Sequence, residues 1–432
     1  MTQGLIMFGV MLIMLMIGTP IGIALGIGTV FTMITSGSSN LFMVVQQRMF
    51  SATNSFPLMA IPFFILAGNL METGGISRRI VIFFKMLLRK QHAASASITT
   101  VASAFFGAIS GSGPATTAAI GGIMIPSMKE TGYKPAEAAA IAASSGILGV
   151  IIPPSIPMVT YATTAGVSVG TMFIAGIVPG ILLVCSFIIV HQLQYRHVET
   201  PAKDKLSWSV AWHTILDALW ALGMPLIILG GIYGGIFTPT EAAAVACVYA
   251  FLVDRFVYHE LNWQDLVKIF IKSAKNTAAI MFIIAVASPF GWLMTKYGVP
   301  NAIANAILSS FHSKVPVFLM INIFLLFLGC FMDTQSIILI TTPLLIPIAS
   351  AFGVDAITLG IIIVVNTAVG MMTPPMAINF FVANSIAGLK SVAPITKKIW
   401  PYLLAAIIVL FIITYWDGFV MFVPKLMGAS AL

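Results

Sequence analysis

Four short breaks interrupt the apolar segments of this 432-residue chain, and they are built from residue types that can hold ions. The first reads Ser110-Gly-Ser-Gly-Pro114. The second runs from Gly149 through Ile152 and Pro153-Pro154 to Ser155, the third from Gly329 to Thr334, and the fourth from Gly370 through Thr373-Pro374-Pro375 to Met376. Glycine and proline end helices, and each ended helix leaves backbone groups unpaired. Carbonyls freed at a C-terminus can coordinate Na⁺, and N–H groups freed at the next N-terminus can hold an anion. Oxygens of Ser110, Ser144, Ser145, Asn366 and Thr373 would supplement the carbonyls. Ser112, Gly113 and Pro114 form the first anion-binding tip, followed by Thr116 and Thr117, whose hydroxyls and N–H groups could meet a carboxylate. Asp333 and Thr334 at the third break, and Asn379 beyond the fourth, are further substrate-binding candidates. An ionisable residue at membrane depth is a functional candidate by default, although a helix cap would also account for Asp333. A single break can be a simple kink, which membrane helices tolerate; matched pairs beside hairpin tips are poorly explained that way.

The elements that must position these breaks are membrane helices. A soluble domain carries about 25% charged and 45–50% apolar residues. Here 8% are charged and 59% hydrophobic, with a mean hydropathy of +1.04. At about 20 apolar residues per span, a chain of this length holds roughly ten spans with short connections and no soluble domain. The N-terminus turns apolar at once, without a basic stretch or a small-residue cleavage site, so it reads as a first span. Spans are predicted near 4–17, 20–36, 57–72, 136–163 and 170–194, then near 212–235, 239–257, 276–295, 356–388 and 399–422. Basic or amphipathic arms are predicted near 77–92 and 297–314. The first and third breaks divide residues 95–128 and 315–349 into halves too short to cross alone, so both read as re-entrant hairpins. Cys185, Cys247 and Cys330 stand far apart with no ligand-like spacing, which points to packing. His191, His197, His213 and His259 fall at span ends beside charged linkers and read as interfacial.

The landmarks recur. Pro126 and Pro347, Gly149 and Gly370, and Pro153-Pro154 and Pro374-Pro375 are each separated by 221 residues. Thr19-Pro20 and Thr238-Pro239 are separated by 219, and Leu70-Met71 and Leu293-Met294 by 223. Such a period marks an internal repeat, with copies 1–195 and 211–432 joined by a polar, cytoplasmic linker at 196–210. Five spans plus a hairpin per copy is an odd count, so the second copy enters from the opposite face. The fold class is therefore all-α and polytopic, with two inverted repeats. With the N-terminus outside, 17 of the 21 Lys and Arg residues fall on cytoplasmic positions, all but Arg48, Lys296, Lys314 and Lys425. That asymmetry follows the positive-inside rule, so the net charge of +8 reports orientation in a bilayer and not nucleic-acid binding.

The segments Gly107-Ala-Ile-Ser-Gly-Ser-Gly-Pro-Ala-Thr-Thr, Gly149-Val-Ile-Ile-Pro-Pro-Ser and Gly370-Met-Met-Thr-Pro-Pro-Met resemble those of the large membrane subunit of tripartite ATP-independent periplasmic (TRAP) transporters, the DctM-like family. The similarity spans nearly the whole chain. It implies a Na⁺-driven importer of organic acids, of sialic acid or C4-dicarboxylate type, in the bacterial inner membrane. It also implies a small membrane subunit and a periplasmic substrate-binding protein as partners. By the same resemblance one Na⁺ would lie among carbonyls near Ser110, Gly149, Ile152 and Ser155, and another near Gly329, Gly370, Thr373 and Met376. The substrate carboxylate would lie between the hairpin tips, and a two-hairpin unit would slide against a scaffold, an elevator.

A stand-alone Na⁺/carboxylate symporter shares this plan. A membrane enzyme would need more: Ser110 sits in a superficially nucleophile-like Gly-Ala-Ile-Ser-Gly segment, but no His falls in a paired membrane segment to act as base. An open channel would not need two half-crossing hairpins.

Overall fold

The computed structural model describes residues 2–37, 41–196, 198, 207–375 and 377–428; Met376 and most of the 196–210 linker lie outside the described residues. Among the described residues every regular element is helical. The first half comprises α1 (Thr2–Met16), α2 (Ile21–Thr35), α3 (Phe42–Thr53), α4 (Ala60–Thr73), α5 (Ile76–Leu88), α6 (Ala94–Ser110), α7 (Gly113–Glu130), α8 (Pro135–Gly146), α9 (Leu148–Ile151), α10 (Ile156–Ala165) and α11 (Val169–Gln194). The second comprises α12 (Trp208–Tyr233), α13 (Pro239–Leu252), α14 (Trp263–Lys296), α15 (Val299–Ser310), α16 (Lys314–Gly329), α17 (Thr334–Ala351), α18 (Ala356–Gly370), α19 (Ile378–Ala387), α20 (Ala393–Tyr415) and α21 (Asp417–Leu426).

Seven helical segments among the described residues are long and apolar enough to cross a membrane: 56–73, 135–165, 169–194, 208–233, 263–296, 334–351 and 393–415. Six of the ten predicted spans are among these seven, and the seventh, 334–351, is a hairpin arm; α1, α2, α18 and α19 are apolar but shorter, and α13 ends after 14 residues. Helix starts follow local chemistry. Pro135 and Pro239 occupy first turns, where a missing N–H costs no hydrogen bond. Glu137 and Glu241 reach back to accept from the N–H groups of Lys134 and Thr238, at 3.1 and 2.8 Å.

Both hairpins form where the breaks predict, α6–α7 around Gly111 and α16–α17 around residues 330–333. The Pro-Pro breaks end α9 and α18, and both Pro-Pro peptide bonds are cis. Each hairpin crosses its neighbouring broken helix at a pair of glycines. A Cβ on Gly107 would stand 2.6 Å from Gly149 Cα, and one on Gly370 would stand 2.5 Å from Gly329 Cα. Only glycine permits backbones to approach so closely.

Hydrogen bonds tie the two halves into one unit around the breaks. Tyr161 donates to the Ala356 carbonyl (2.5 Å), Asn379 Nδ2 to the Ala143 carbonyl (3.1 Å) and Lys129 to the Ala387 carbonyl (3.3 Å), while Lys398 pairs with Glu137 at 2.8 Å. A second group packs α4 against α13, and α14 against α2, α3 and α4. The arm α5 packs between α6 and α12, with Arg79 bridging Asp217 (3.2 Å) and Glu260 (2.8 Å), and α15 packs against α14 and α17.

Three elements differ from expectation. Helix α14 runs 34 residues and starts at Trp263, well before the predicted 276, because its first turns are amphipathic and expose Lys268, Lys272 and Lys275. The last predicted span divides into α20 and α21 beside Trp416, and α3 is a separate helix the hydropathy pattern does not announce.

At the second crossing, Gly370→Ala should overpack the contact at a cost of about 1–3 kcal/mol. Gly122→Ala, where an added Cβ meets nothing within 4 Å, should gain about 0.5–1 kcal/mol as a helix-interior Gly-to-Ala change. Thermal unfolding of the detergent-solubilised chain should therefore separate the two variants in opposite directions from the parent.

Candidate functional site

The first and third breaks meet at a cavity of about 390 Å³. Ser110, Ser112, Gly113 and Pro114 line it from one hairpin tip, and Asp333, Thr334 and Gln335 from the other. The opposite wall comes from unbroken helices: Gly68 and Asn69 of α4, and Asn276, Ala279, Ile280 and Ile283 of α14. Residues more than 200 positions apart thus share one polar-tipped chamber.

The first tip is built from a tight reversal. Gly111 takes the left-handed region (φ 59°), and a Cβ there would stand 3.0 Å from the Ile156 nitrogen. Ser112 is extended, and α7 restarts at Gly113-Pro114, leaving the N–H groups of Gly113 and Ala115 without intrahelical acceptors. Thr116 and Thr117 do not line the chamber. Thr116 Oγ1 donates to the Ser112 carbonyl (2.8 Å) and lies 2.9 Å from Ser110 Oγ, while Thr117 Oγ1 donates to the Gly113 carbonyl (3.0 Å). Both are buried, and their hydroxyls occupy the space that side chains at Gly149 and Gly146 would need. They brace the tip from behind.

Asp333 caps α17 and lines the chamber at once. Its Oδ2 accepts from the Ser336 N–H (3.0 Å) and its Oδ1 from the Ser336 hydroxyl (2.5 Å). Thr334 Oγ1 and Gln335 Oε1, its neighbours, are buried without a hydrogen-bond partner. Asn379 is fully buried one layer deeper. Its amide nitrogen is held by Ala143, and its unpartnered Oδ1 lies 3.5 Å from where a Cβ on Gly113 would stand.

The residues expected around Na⁺ fall at the two glycine crossings. Gly149 backs onto the first tip, where a Cβ would stand 2.7 Å from the Ser112 carbonyl oxygen. Ile152 ends α9 with its N–H bonded to the Leu148 carbonyl (2.8 Å). The Ser155 hydroxyl donates to the Val150 carbonyl and accepts from the Met158 N–H (3.4 Å). At the other crossing Gly329 abuts Gly370, whose carbonyl accepts from Thr373 N–H (2.9 Å), and Thr373 Oγ1 donates to the Val369 carbonyl (2.7 Å). Asn366, one turn before Gly370, donates to Asn322 Oδ1 (2.7 Å) and leaves its own oxygen unpartnered. Met376 lies outside the described residues. Ser144 and Ser145 are occupied elsewhere, Ser144 with the Ala140 carbonyl (2.9 Å) and Ser145 with Thr100 (2.8 Å).

Several polar residues escaped sequence reasoning. Asn69 and Asn276 line the chamber from the unbroken wall, and Asn69 donates to Ser273 at 2.9 Å. A lone amide inside an apolar span is the signal that marks Asn69. His191, expected at an interface, is instead fully buried between Thr100 (2.8 Å) and Tyr402 (2.9 Å), joining α6, α11 and α20. His213 and His259 are exposed, and His197 lies outside the described residues.

The family model of the DctM component of tripartite ATP-independent periplasmic transporters matches residues 8–419. The chain belongs to this family. Among its relatives in the DctM family is the C4-dicarboxylate TRAP transporter large permease protein of Rhodobacter capsulatus, 37% identical over 440 residues, which cover 99% of this chain and 100% of that one. The isethionate TRAP transporter permease protein DctMQ of Oleidesulfovibrio alaskensis is 41% identical over 420 residues; the match covers 96% of this chain but only 66% of that longer protein. The sialic acid TRAP transporter permease protein SiaT of Haemophilus influenzae is 34% identical over 418 residues, covering 97% and 68%. The crystal structure of the Alcanivorax borkumensis YdaH transporter matches with a TM-score of 0.64 at 15% identity over 89% of each chain, a likeness of fold. Membership of the DctM family, with seven candidate spans, makes this chain a multi-pass protein of the bacterial inner membrane and one component of a transporter.

Because Asp333 caps α17, Asp333→Ala should cost about 1 kcal/mol, the usual value of an N-cap. Asp333→Ser should restore most of it. Thermal unfolding of both variants in detergent reads this out, and equal melting of the Ala variant and the parent would remove the cap.

Proposed function

We propose that this chain is the large transmembrane subunit of a Na⁺-coupled secondary importer of organic acids, working with a small membrane subunit and receiving substrate from a periplasmic binding protein. The observation that carries the reading is the convergence of two hairpin tips on one chamber walled by unbroken helices. A chamber of that kind, with an uncapped helix N-terminus at Gly113, suits an acid group. Relatives named for C4-dicarboxylates, isethionate, sialic acid and 2,3-diketo-L-gulonate are all named for small organic anions, which supports the class without selecting a member. The family's description as one part of a tripartite transporter favours companion subunits over a stand-alone symporter.

In this reading residues 1–195 and 211–432 are inverted repeats. Na⁺ sits at the two glycine crossings, within reach of Ser110, Gly149, Ile152 and Ser155 on one side and Gly329, Gly370 and Thr373 on the other. Asn366 and Thr334 offer buried oxygens that lack donors, as a cation site requires. The hydrogen-bonded unit of hairpins and broken helices moves as an elevator along α4 and α14, tethered by α5 and α15. No catalysis is part of this reading.

The complex, reconstituted in liposomes, should accumulate one of radiolabelled succinate, N-acetylneuraminate or isethionate only when a Na⁺ gradient and the binding protein are both present. Thr373→Ala should raise the half-saturating Na⁺ concentration about fivefold, the equivalent of about 1 kcal/mol. Unchanged Na⁺ activation of this variant would remove Thr373 from the ion site.

A further inference from the structure

A second cavity, of about 420 Å³, lies farther along α14 toward its Lys296 end. Asn276, Ala279 and Ile283 face the first chamber; Ala287, Gly291 and Thr295 face the second. These positions step by three and four residues, so one face of α14 runs past both cavities. Their midpoints are about ten residues apart, or ~15 Å at the α-helical rise.

The two stations differ in charge. Neither Lys nor Arg lines the chamber at the hairpin tips. The second cavity is lined by Arg48 of α3, together with Ser288 and Thr295 of α14 and Thr160 and Thr164 of α10. Arg48 lies 5.1 Å over the Trp292 ring and has no acidic partner among the described residues. It is also one of the four cations that the charge pattern places outside. A guanidinium resting on an aromatic face, with its donor edges unused, is prepared for a carboxylate or sulfonate.

We propose that Arg48 receives the acid group of the transported organic anion when the hairpin tips stand at the outer station, so that the anion is held by tips and Arg48 outside and by the tips alone inside. The proposal rests on the elevator reading above. A ligand held more tightly in one of two states favours that state by its differential affinity, so Arg48 would assist capture at the outer face and fall out of reach before release.

The test uses the reconstituted complex with whichever of succinate, N-acetylneuraminate or isethionate the parent accumulates. Arg48→Gln should raise the external KM about tenfold while the half-saturation measured from the inner face, by counterflow, stays put; Arg48→Lys should recover part of the loss. An unchanged external KM, or an equal rise on both faces as a merely structural role would give, overturns the proposal. A readout without transport is the fluorescence of Trp292, isolated by subtracting Trp292→Phe. In the solubilised complex with Na⁺, the three acids should perturb it in the parent and not in Arg48→Gln. Parent liposomes that accumulate none of the acids would defeat the transport reading, and the fluorescence titration would then decide Arg48 alone, its failure overturning the assignment.

Discussion

A helix that ends inside a bilayer exposes carbonyls and N–H groups that lipid cannot satisfy, at several kcal/mol for each group left alone. Everything at the centre of this protein answers that constraint. The breaks are shielded by other broken elements, so each hairpin is pressed onto a neighbouring helix at its own interruption. The Gly107–Gly149 and Gly329–Gly370 contacts are the closest expression of this, because backbone must meet backbone before freed groups can share an ion or a hydrogen bond. Hydroxyls complete the shielding. Thr116 and Thr117 fold back on the carbonyls of Ser112 and Gly113, a habit of Thr at helix starts that here closes the tip from behind.

The two crossings have not been satisfied to the same degree. Around the first, Ser110, Thr116 and Ser155 each engage a nearby hydroxyl or carbonyl, and among the described residues only Asn379 Oδ1, behind Gly113, is left without a donor. Around the second, Thr334 Oγ1, Gln335 Oε1 and Asn366 Oδ1 are buried with no donor. A buried acceptor left unpaired costs about 1–3 kcal/mol, and a cation removes that cost where another hydrogen bond cannot. Both proposed ion sites therefore lie beside buried acceptors that lack donors, three at the second crossing and one at the first among the described residues.

Much of this was legible in the sequence because glycine and proline mark backbone events directly. The hairpins predicted at 95–128 and 315–349 appear as helices spanning 94–130 and 314–351. Side-chain direction was less legible. Nothing in the spacing of Thr116 and Thr117 distinguishes a hydroxyl facing a substrate from one bonded to its own turn. Asn69, Asn276 and His191 depend on partners far away in the chain; His191 meets Thr100 and Tyr402, 91 and 211 positions distant. The early start of α14 was hidden for a different reason, since a hydropathy window reads Lys268, Lys272 and Lys275 as a flank although they continue the same helix beyond the apolar part.

That continuation gives α14 its part in the design. The elements that carry the chamber are all interrupted, and interruption makes them dependent on one another. In the proposed elevator their partner wall has the opposite requirement: a surface along which an interrupted unit moves must satisfy nearly all of its own backbone, or each displacement would uncover new unpaired groups. Helix α14 runs for 34 residues, and Pro289 costs it one intrahelical hydrogen bond without ending it. On its cavity-lining face the small residues Ala279, Ala287 and Gly291 alternate with larger ones such as Ile283 and Trp292. Broken helices supply the tips of the chamber, and under the proposed elevator an unbroken one is the track along which they change position.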